Sequence, residues 1–315
     1  MTTALVTNSK DWTPEQQQQE LTRRMNLLGL GKEIMPPFTP RPDDVVCAVP
    51  YKSGTTWLTH ICHQIRMQGA EPTFQDQSTV VCWIEWNKMV HGVEPNDVTH
   101  PELPRLFATH LSDYDIIPKA NRIIYSFRDQ MDALYSLYRM MDSLLLFKGR
   151  IPLALFADTF VESGLVRKRI EQLVGWWKRR HQENILLMFY DDLKEDHTGC
   201  VHRIAKFMGV NCTDEVIARV VKTTSHVEMS KHSSKFDVRS FSLALARQIG
   251  EEPDFDAEDY VVRVRKDGGR SGDGKLLPQH IQEYYNQQWK EIITAELGSN
   301  NLKEMRDAWH KEQQH

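Results

Sequence analysis

The chain has 315 residues, 40% hydrophobic and 26% charged, which is the mix of a globular protein able to bury a large core without staples. Lys and Arg number 39 against 43 Asp and Glu, and a net charge of −4 argues against a broad nucleic-acid surface. Any phosphate site must therefore rest on a few placed cations.

Five scattered cysteines (Cys47, Cys62, Cys82, Cys200, Cys212) make no C-x-x-C pair, which argues against a disulfide framework and a structural zinc site. No stretch approaches the ~20 apolar residues of a membrane span. Gln16 to Gln19 lie where the apolar part of a signal segment would be, so a reducing cytoplasm is the expected compartment.

In chain order, residues 1–43 read as a polar lead-in packed on the main domain. A short helix is expected over about 11–28, and Pro36, Pro37, Pro40 and Pro42 then break regular structure. Residues 44–298 form the expected main domain. Val45 to Val49 is an apolar run bounded by Asp44 and Pro50, suited to a strand buried on both faces. Trp57, Leu58, Ile61 and Ile65 follow near helical spacing, giving strand, loop and helix over 45–68. Further strands are expected at 105–111, 122–127 and 185–190, and helices at about 131–141, 166–181 and 197–208.

This alternation predicts an α/β fold with a central, mostly parallel sheet flanked by helices. Residues 236–259 show no clear strand and end in an acidic run, which reads as a mobile lid or gate. The charged tail, 299–315, reads as a solvated helix.

The segment Pro50-Tyr51-Lys52-Ser53-Gly54-Thr55-Thr56 joins the buried strand to the first core helix. Unpaired backbone N–H groups at a helix start favour an anion, and Gly54 allows the backbone to approach it. Ser53, Thr55 and Thr56 add hydroxyls, and Lys52 adds charge. An ATP or GTP loop of the G-x-x-x-x-G-K-[ST] type places its lysine after the second glycine, whereas Lys52 precedes the one glycine here. The bland alternative is a strand-to-helix turn with a threonine cap.

The order Lys52-Ser53-Gly54-Thr55-Thr56-Trp57 resembles the 5'-phosphosulfate loop of the cytosolic sulfotransferases. These enzymes use 3'-phosphoadenosine 5'-phosphosulfate (PAPS) and release PAP. The resemblance implies a P-loop-NTPase-like sulfotransferase fold. It also implies Lys52 at the bridging region, the threonines on the 5'-phosphate and Trp57 near the adenine.

The family's 3'-phosphate pair, an arginine and a serine eight apart, maps to Arg128 and Ser136. Its Arg-Lys-Gly segment resembles Arg265-Lys266-Asp267-Gly268, but the glycine comes one position late, two residues are inserted and Gly274 replaces a tryptophan. Cover of the 3'-phosphate by Arg265, Lys266 and Gly268 is thus expected with shifted geometry, and Arg270 is a further candidate. Met188 to Glu195 resembles the family segment whose tyrosine, here Tyr190, contacts the adenine, and Thr224-Ser225-His226 resembles its Thr-Ser-Phe with His226 in place of the aromatic, which implies a cofactor contact for Thr224.

Sulfuryl transfer needs a base for the proton of the acceptor and cations for the developing charge. The chain has 13 histidines. The family's Lys-Thr-His segment maps the base to His110, at a predicted strand end, with Ala108 in place of the lysine. Trp83, Glu85 and Trp86 fall where the family presents its acceptor pocket, and core packing is the competing reading of the two indoles.

His60 and His63 are three apart on a helix, but without a carboxylate or cysteine pattern no metal is expected. The expected partner is a small-molecule acceptor, with no nucleic acid and no membrane, and the chain acts as a monomer or homodimer. Two other classes stay open at this point: a non-catalytic PAP- or nucleotide-binding relative, and a P-loop nucleotide kinase.

Overall fold

Val45, Val46, Cys47 and Ala48 are all fully buried, as a continuous apolar run requires when both sheet faces are covered. They form β1 (Val45–Ala48), the central strand of a five-stranded sheet. The computed structural model describes residues 12–29, 36–111, 113–115, 117, 122–145, 147–237, 239–251, 264 and 271–313.

Before β1 lies α1 (Pro14–Leu27); after it come α2 (Thr55–Arg66), β2 (Cys82–Trp83), α3 (Asn87–His91), β3 (Leu106–Thr109), β4 (Arg122–Phe127) and α4 (Gln130–Leu144). Next are α5 (Leu153–Glu162), α6 (Leu165–Lys178), β5 (Ile185–Phe189), α7 (Tyr190–Glu195) and α8 (His197–Met208). The described remainder holds α9 (Asp214–Thr223), α10 (His226–Lys231), α11 (Arg239–Ile249) and α12 (Gln279–Trp289). A π turn at Lys290–Thr294 leads into α13 (Ala295–Leu297), and α14 (Leu302–Glu312) follows.

The strand order is β2-β3-β1-β4-β5, with every recorded pairing parallel. The chain leaves β1 towards β2 and β3 on one side and leaves β4 towards β5 on the other. The β1/β4 boundary is therefore the switch point, where open α/β sheets open a crevice at the carboxyl ends.

Alternate residues of each strand feed two cores. Val46, Ala48, Phe107, Tyr125 and Phe127 pack with residues of α1, α4, α5, α6 and α12. Val45, Cys47, Leu106, Ala108 and Ile124 pack under α2, α8 and α9. At the opposite end of the sheet, Arg105 Nε donates to Asp44 Oδ1 at 2.7 Å, which locks β3 to the start of β1.

Three segments depart from the sequence reading. The described part of 236–259 contains helix α11, whose Phe241, Leu245 and Ala246 are buried; they recur near helical spacing, which a search for strands overlooks. Residues 252–259 lie outside the described residues.

The tail helix α14 is not a solvated one. Met305 and Trp309 are buried, Arg306 Nε donates to Asp192 Oδ1 at 2.6 Å, and Arg180 pairs with Glu312 at 2.9 Å. Two apolar residues four apart provide a docking stripe even in a charged helix. Finally, β5 ends at Phe189, so Tyr190 opens α7 instead of closing the strand.

Candidate active site

Gly54 caps α2 in a left-handed conformation with φ 96°, which L side chains rarely adopt. A Cβ there would stand 2.9 Å from Tyr190 Cδ2, so a side chain is also excluded by space. Lys52 has φ 62°, a strained value for a non-glycine residue. Its Nζ lies 3.4 Å from Met140 Sδ on α4.

Ser53 and Thr55 are buried, yet Ser53 Oγ and Thr55 Oγ1 have no hydrogen-bond partner among the described residues. Buried hydroxyls are nearly always paired, so two orphans on one turn mark a place prepared for acceptor atoms. Thr56, half-buried, occupies the second position of α2.

The parallel pairing of β1 and β4 brings Arg128 to this loop. Its Nη1 donates to the Lys52 carbonyl oxygen, and its guanidinium carbon sits 4.6 Å from the centre of the Tyr190 ring. Arg128 is buried and its Nε lacks a partner among the described residues. Burial pushes the Tyr190 hydroxyl above the usual tyrosine range.

Ser136 is half-buried on α4 two helical turns after Arg128, one turn past Asp132. Asp132 accepts from Gly272 N at 2.8 Å and Gly274 N at 2.7 Å, docking the end of the glycine-rich segment on α4. A Cβ on Gly274 would meet Met131 Cβ at 2.6 Å, so this close approach requires glycine. Arg265, Lys266, Gly268 and Arg270 lie outside the described residues.

Trp57 Nε1 donates to the Thr224 carbonyl oxygen at 2.8 Å, and its ring meets the Tyr190 ring edge-on at 6.1 Å. Thr224, fully buried at the end of α9, also pairs Oγ1 with His197 Nε2 at 3.0 Å. Trp57, Tyr190 and Thr224 thus form one wall beside the loop. His197, 5.2 Å from Trp57, belongs to it and was missed. Its only sequence signal was its place at the start of a helix.

On the other side of the loop, His110 follows β3. Its Nδ1 lies 2.6 Å from the Val49 carbonyl oxygen, an acceptor only, so Nδ1 carries the proton and the neutral ring has its basic lone pair on Nε2. Glu85 Oε1 accepts from His110 N at 2.6 Å and Leu111 N at 3.2 Å. Glu85 is partly exposed as a residue, but its Oε2 is buried without a partner among the described residues, and burial raises its pKa to about 6.

The His110 ring is 4.1 Å from Tyr51, 4.9 Å from Trp83 and 5.5 Å from Trp86. Trp83 on β2 and Trp86 stack at 5.2 Å and line a partly open cleft with Asp76, Asn87, Asp237 and Phe241. Sequence reasoning missed Tyr51 and Phe241; Tyr51 was within the quoted loop, and Phe241 was hidden by the lid reading of its helix.

His60 and His63 lie elsewhere. Both are buried against Phe74, burial lowers each to about 3, and His63 Nδ1 accepts from Arg66 Nε at 3.2 Å. They are neutral packing residues at pH 7. Among the described residues no cluster of three His, Cys, Asp or Glu could hold a metal ion.

A family model described as the sulfotransferase domain matches residues 42–250, from the start of β1 to the end of α11. The chain belongs to the sulfotransferase family. Among relatives of this sulfotransferase, the rabbit (Oryctolagus cuniculus) amine sulfotransferase is 27% identical over 205 residues, 62% of this chain and 66% of that one. Sulfotransferase 1B1 of the dog (Canis lupus familiaris) is 31% identical over 207 residues, 62% of this chain and 68% of that one.

Two solved structures share its fold. Retinol dehydratase in complex with retinol and PAP superposes with a TM-score of 0.64 at 18% identity, over 90% of this chain and 95% of that one. Mouse sulfotransferase SULT7A1 complexed with PAP gives 0.51 at 19% identity, over 87% and 89%.

Proposed function

We propose that the protein transfers a sulfuryl group from PAPS to a hydroxyl or amine of a small-molecule acceptor, with His110 as the general base. The observation that carries this reading is the pairing of β1 with β4, which joins the loop's orphaned Ser53 and Thr55 hydroxyls to the Arg128 guanidinium in one crevice. Unsatisfied donors around a glycine turn with a buried cation suit a phosphate-bearing ligand. PAPS would supply the sulfuryl group and depart as PAP.

Lys52, Ser53, Gly54, Thr55 and Thr56 are assigned to the 5'-phosphosulfate end. Arg128 and Ser136 are assigned to the 3'-phosphate, with Arg265, Lys266 and Gly268 as its cover. Trp57, Tyr190 and Thr224 form the adenine wall. His110 Nε2 takes the proton of the attacking hydroxyl or amine while the Val49 carbonyl holds the ring in that tautomer. Lys52 and the N–H groups at the start of α2 hold the charge left on the departing phosphate. All of these steps are ones that Lys, Arg and His perform without a metal.

Trp83, Glu85 and Trp86 are assigned to the acceptor side, because the two indoles reach both His110 and the cleft. Five free thiols suit a reducing cytoplasm. The test is label transfer from sulfur-labelled PAPS to phenols, alcohols and amines, by the wild type and by His110→Ala. PAPS binding without transfer would favour a non-catalytic relative, and tight binding of ATP with magnesium in its place would favour a kinase.

A further inference from the structure

The reaction proposed above develops negative charge on the sulfuryl oxygens and the departing phosphate, and such charge is stabilised by preorganised cations. Lys52 supplies one. Position 108, two residues before His110, holds an alanine that is fully buried in the layer beneath α2, so no cation reaches the centre from it.

A guanidinium also contacts Tyr51. Arg169, half-buried on α6, sets its guanidinium carbon 4.8 Å from the centre of the Tyr51 ring. That ring lies 4.1 Å from the His110 ring, so the guanidinium carbon is no farther than 8.9 Å from the centre of the imidazole. A rotamer change in a side chain of this length covers several ångströms.

The same placement puts Arg169 alongside Lys52. Tyr51 is the residue before Lys52 in the loop. Arg169 lines a small cleft with Gln130, Ala133, Leu137 and Tyr285. Gln130, Ala133 and Leu137 share with Met140 one face of α4, at three- and four-residue spacing. Met140 is the residue on which the Lys52 ammonium rests. Both cations therefore lie along one helix face, with Tyr51 in contact with Arg169 and His110 and directly preceding Lys52. Arg169 also acts on the buried Tyr285 hydroxyl, opposing the upward push of burial, so its charge is felt inside the cleft.

We infer that Arg169 is the second cation of the sulfuryl-transfer centre, held on the Tyr51 ring and presented to the sulfuryl oxygens when the donor is bound. This assignment rests on the transfer reaction proposed above. A guanidinium suits the role because it remains charged at all working pH and offers a fork of donors.

The test uses the full chain with Arg169→Gln and Arg169→Lys, read by calorimetric binding of PAPS and of PAP and by transfer of labelled sulfur to an acceptor the wild type uses. For Arg169→Gln, we expect transfer to fall about 100-fold, with the Kd for PAP and the acceptor KM each within about threefold of wild type. The preference for PAPS over PAP should also drop, by about fivefold, and Arg169→Lys should recover about a tenth or more of the lost rate.

An unchanged rate with an unchanged PAPS-over-PAP preference would overturn the inference. So would a raised acceptor KM at full rate, which would make Arg169 a reader of the acceptor. A parallel loss of PAP binding and thermal stability would overturn it too, by giving Arg169 a structural role. Absence of transfer by the wild type would count against the reaction itself, while the PAPS-over-PAP preference would still judge Arg169.

Discussion

Replacing Gly54 by alanine perturbs the phosphate loop at its tightest point. Holding a non-glycine residue at φ 96° costs about 1–3 kcal/mol. The new methyl would stand 2.9 Å from Tyr190 Cδ2 and 3.3 Å from Cε2, so the ring must shift. That ring carries the Arg128 guanidinium at 4.6 Å, a contact worth about 0.5–2 kcal/mol.

The two effects together predict a loss of about 1.5–5 kcal/mol, a large share of the roughly 5–15 kcal/mol that holds most folds. Urea unfolding followed by circular dichroism should show a lower midpoint with an unchanged slope. Calorimetry should show the Kd for PAP rising by about tenfold or more, because the turn and Arg128 move together. A stability loss below about 0.5 kcal/mol with unaltered PAP binding would refute the argument that this turn is shaped around its ligand.

Glu85 gives a pH signature. Burial raises its folded pKa to about 6 from 4.5, so its contribution to stability is fully present below pH 4.5 and is lost as pH rises through 6, at a cost of about 2 kcal/mol. Glu85→Gln should therefore gain stability relative to wild type across that window, and a pH-independent difference would contradict the burial argument. Trp309→Ala should cost about 3 kcal/mol by urea unfolding, since α14 docks through that ring; a loss under about 1 kcal/mol would return the helix to the solvent. Trp86→Ala should raise the acceptor KM by about tenfold and leave the PAPS KM within about twofold. The opposite pattern would move Trp86 to the donor site or the core.

The sheet was legible where the chain is apolar on both faces, as in β1, and helices where one stripe is apolar, as in α8 at residues 197–208. The two-residue strand β2 was not, because Cys82 and Trp83 are too few to show a period and pair only at the sheet edge. In α14 the polar residues outnumber the buried ones, so two anchors, Met305 and Trp309, decide the packing without dominating the pattern, and in α11 polar residues flank the buried stripe around Phe241 and Leu245.

For the site, the order of residues around Lys52, His110 and Arg128 carried the chemistry, but their meeting depends on which strands are neighbours. Parallel pairing of β1 with both β3 and β4 is a non-local fact. Arg169 was invisible for a related reason: on its own helix it is one of several cations, and only the packing of α6 against the loop singles it out.

The most direct measurement is transfer of labelled sulfur from PAPS by the wild type and by His110→Ala, with PAP binding measured on both. The account predicts transfer to a hydroxyl or amine by the wild type, a fall of about 100-fold or more in the variant, and equal PAP binding. Equal transfer by the two proteins would contradict the role of His110. A wild type that binds PAP but transfers sulfur to no acceptor would contradict the central claim.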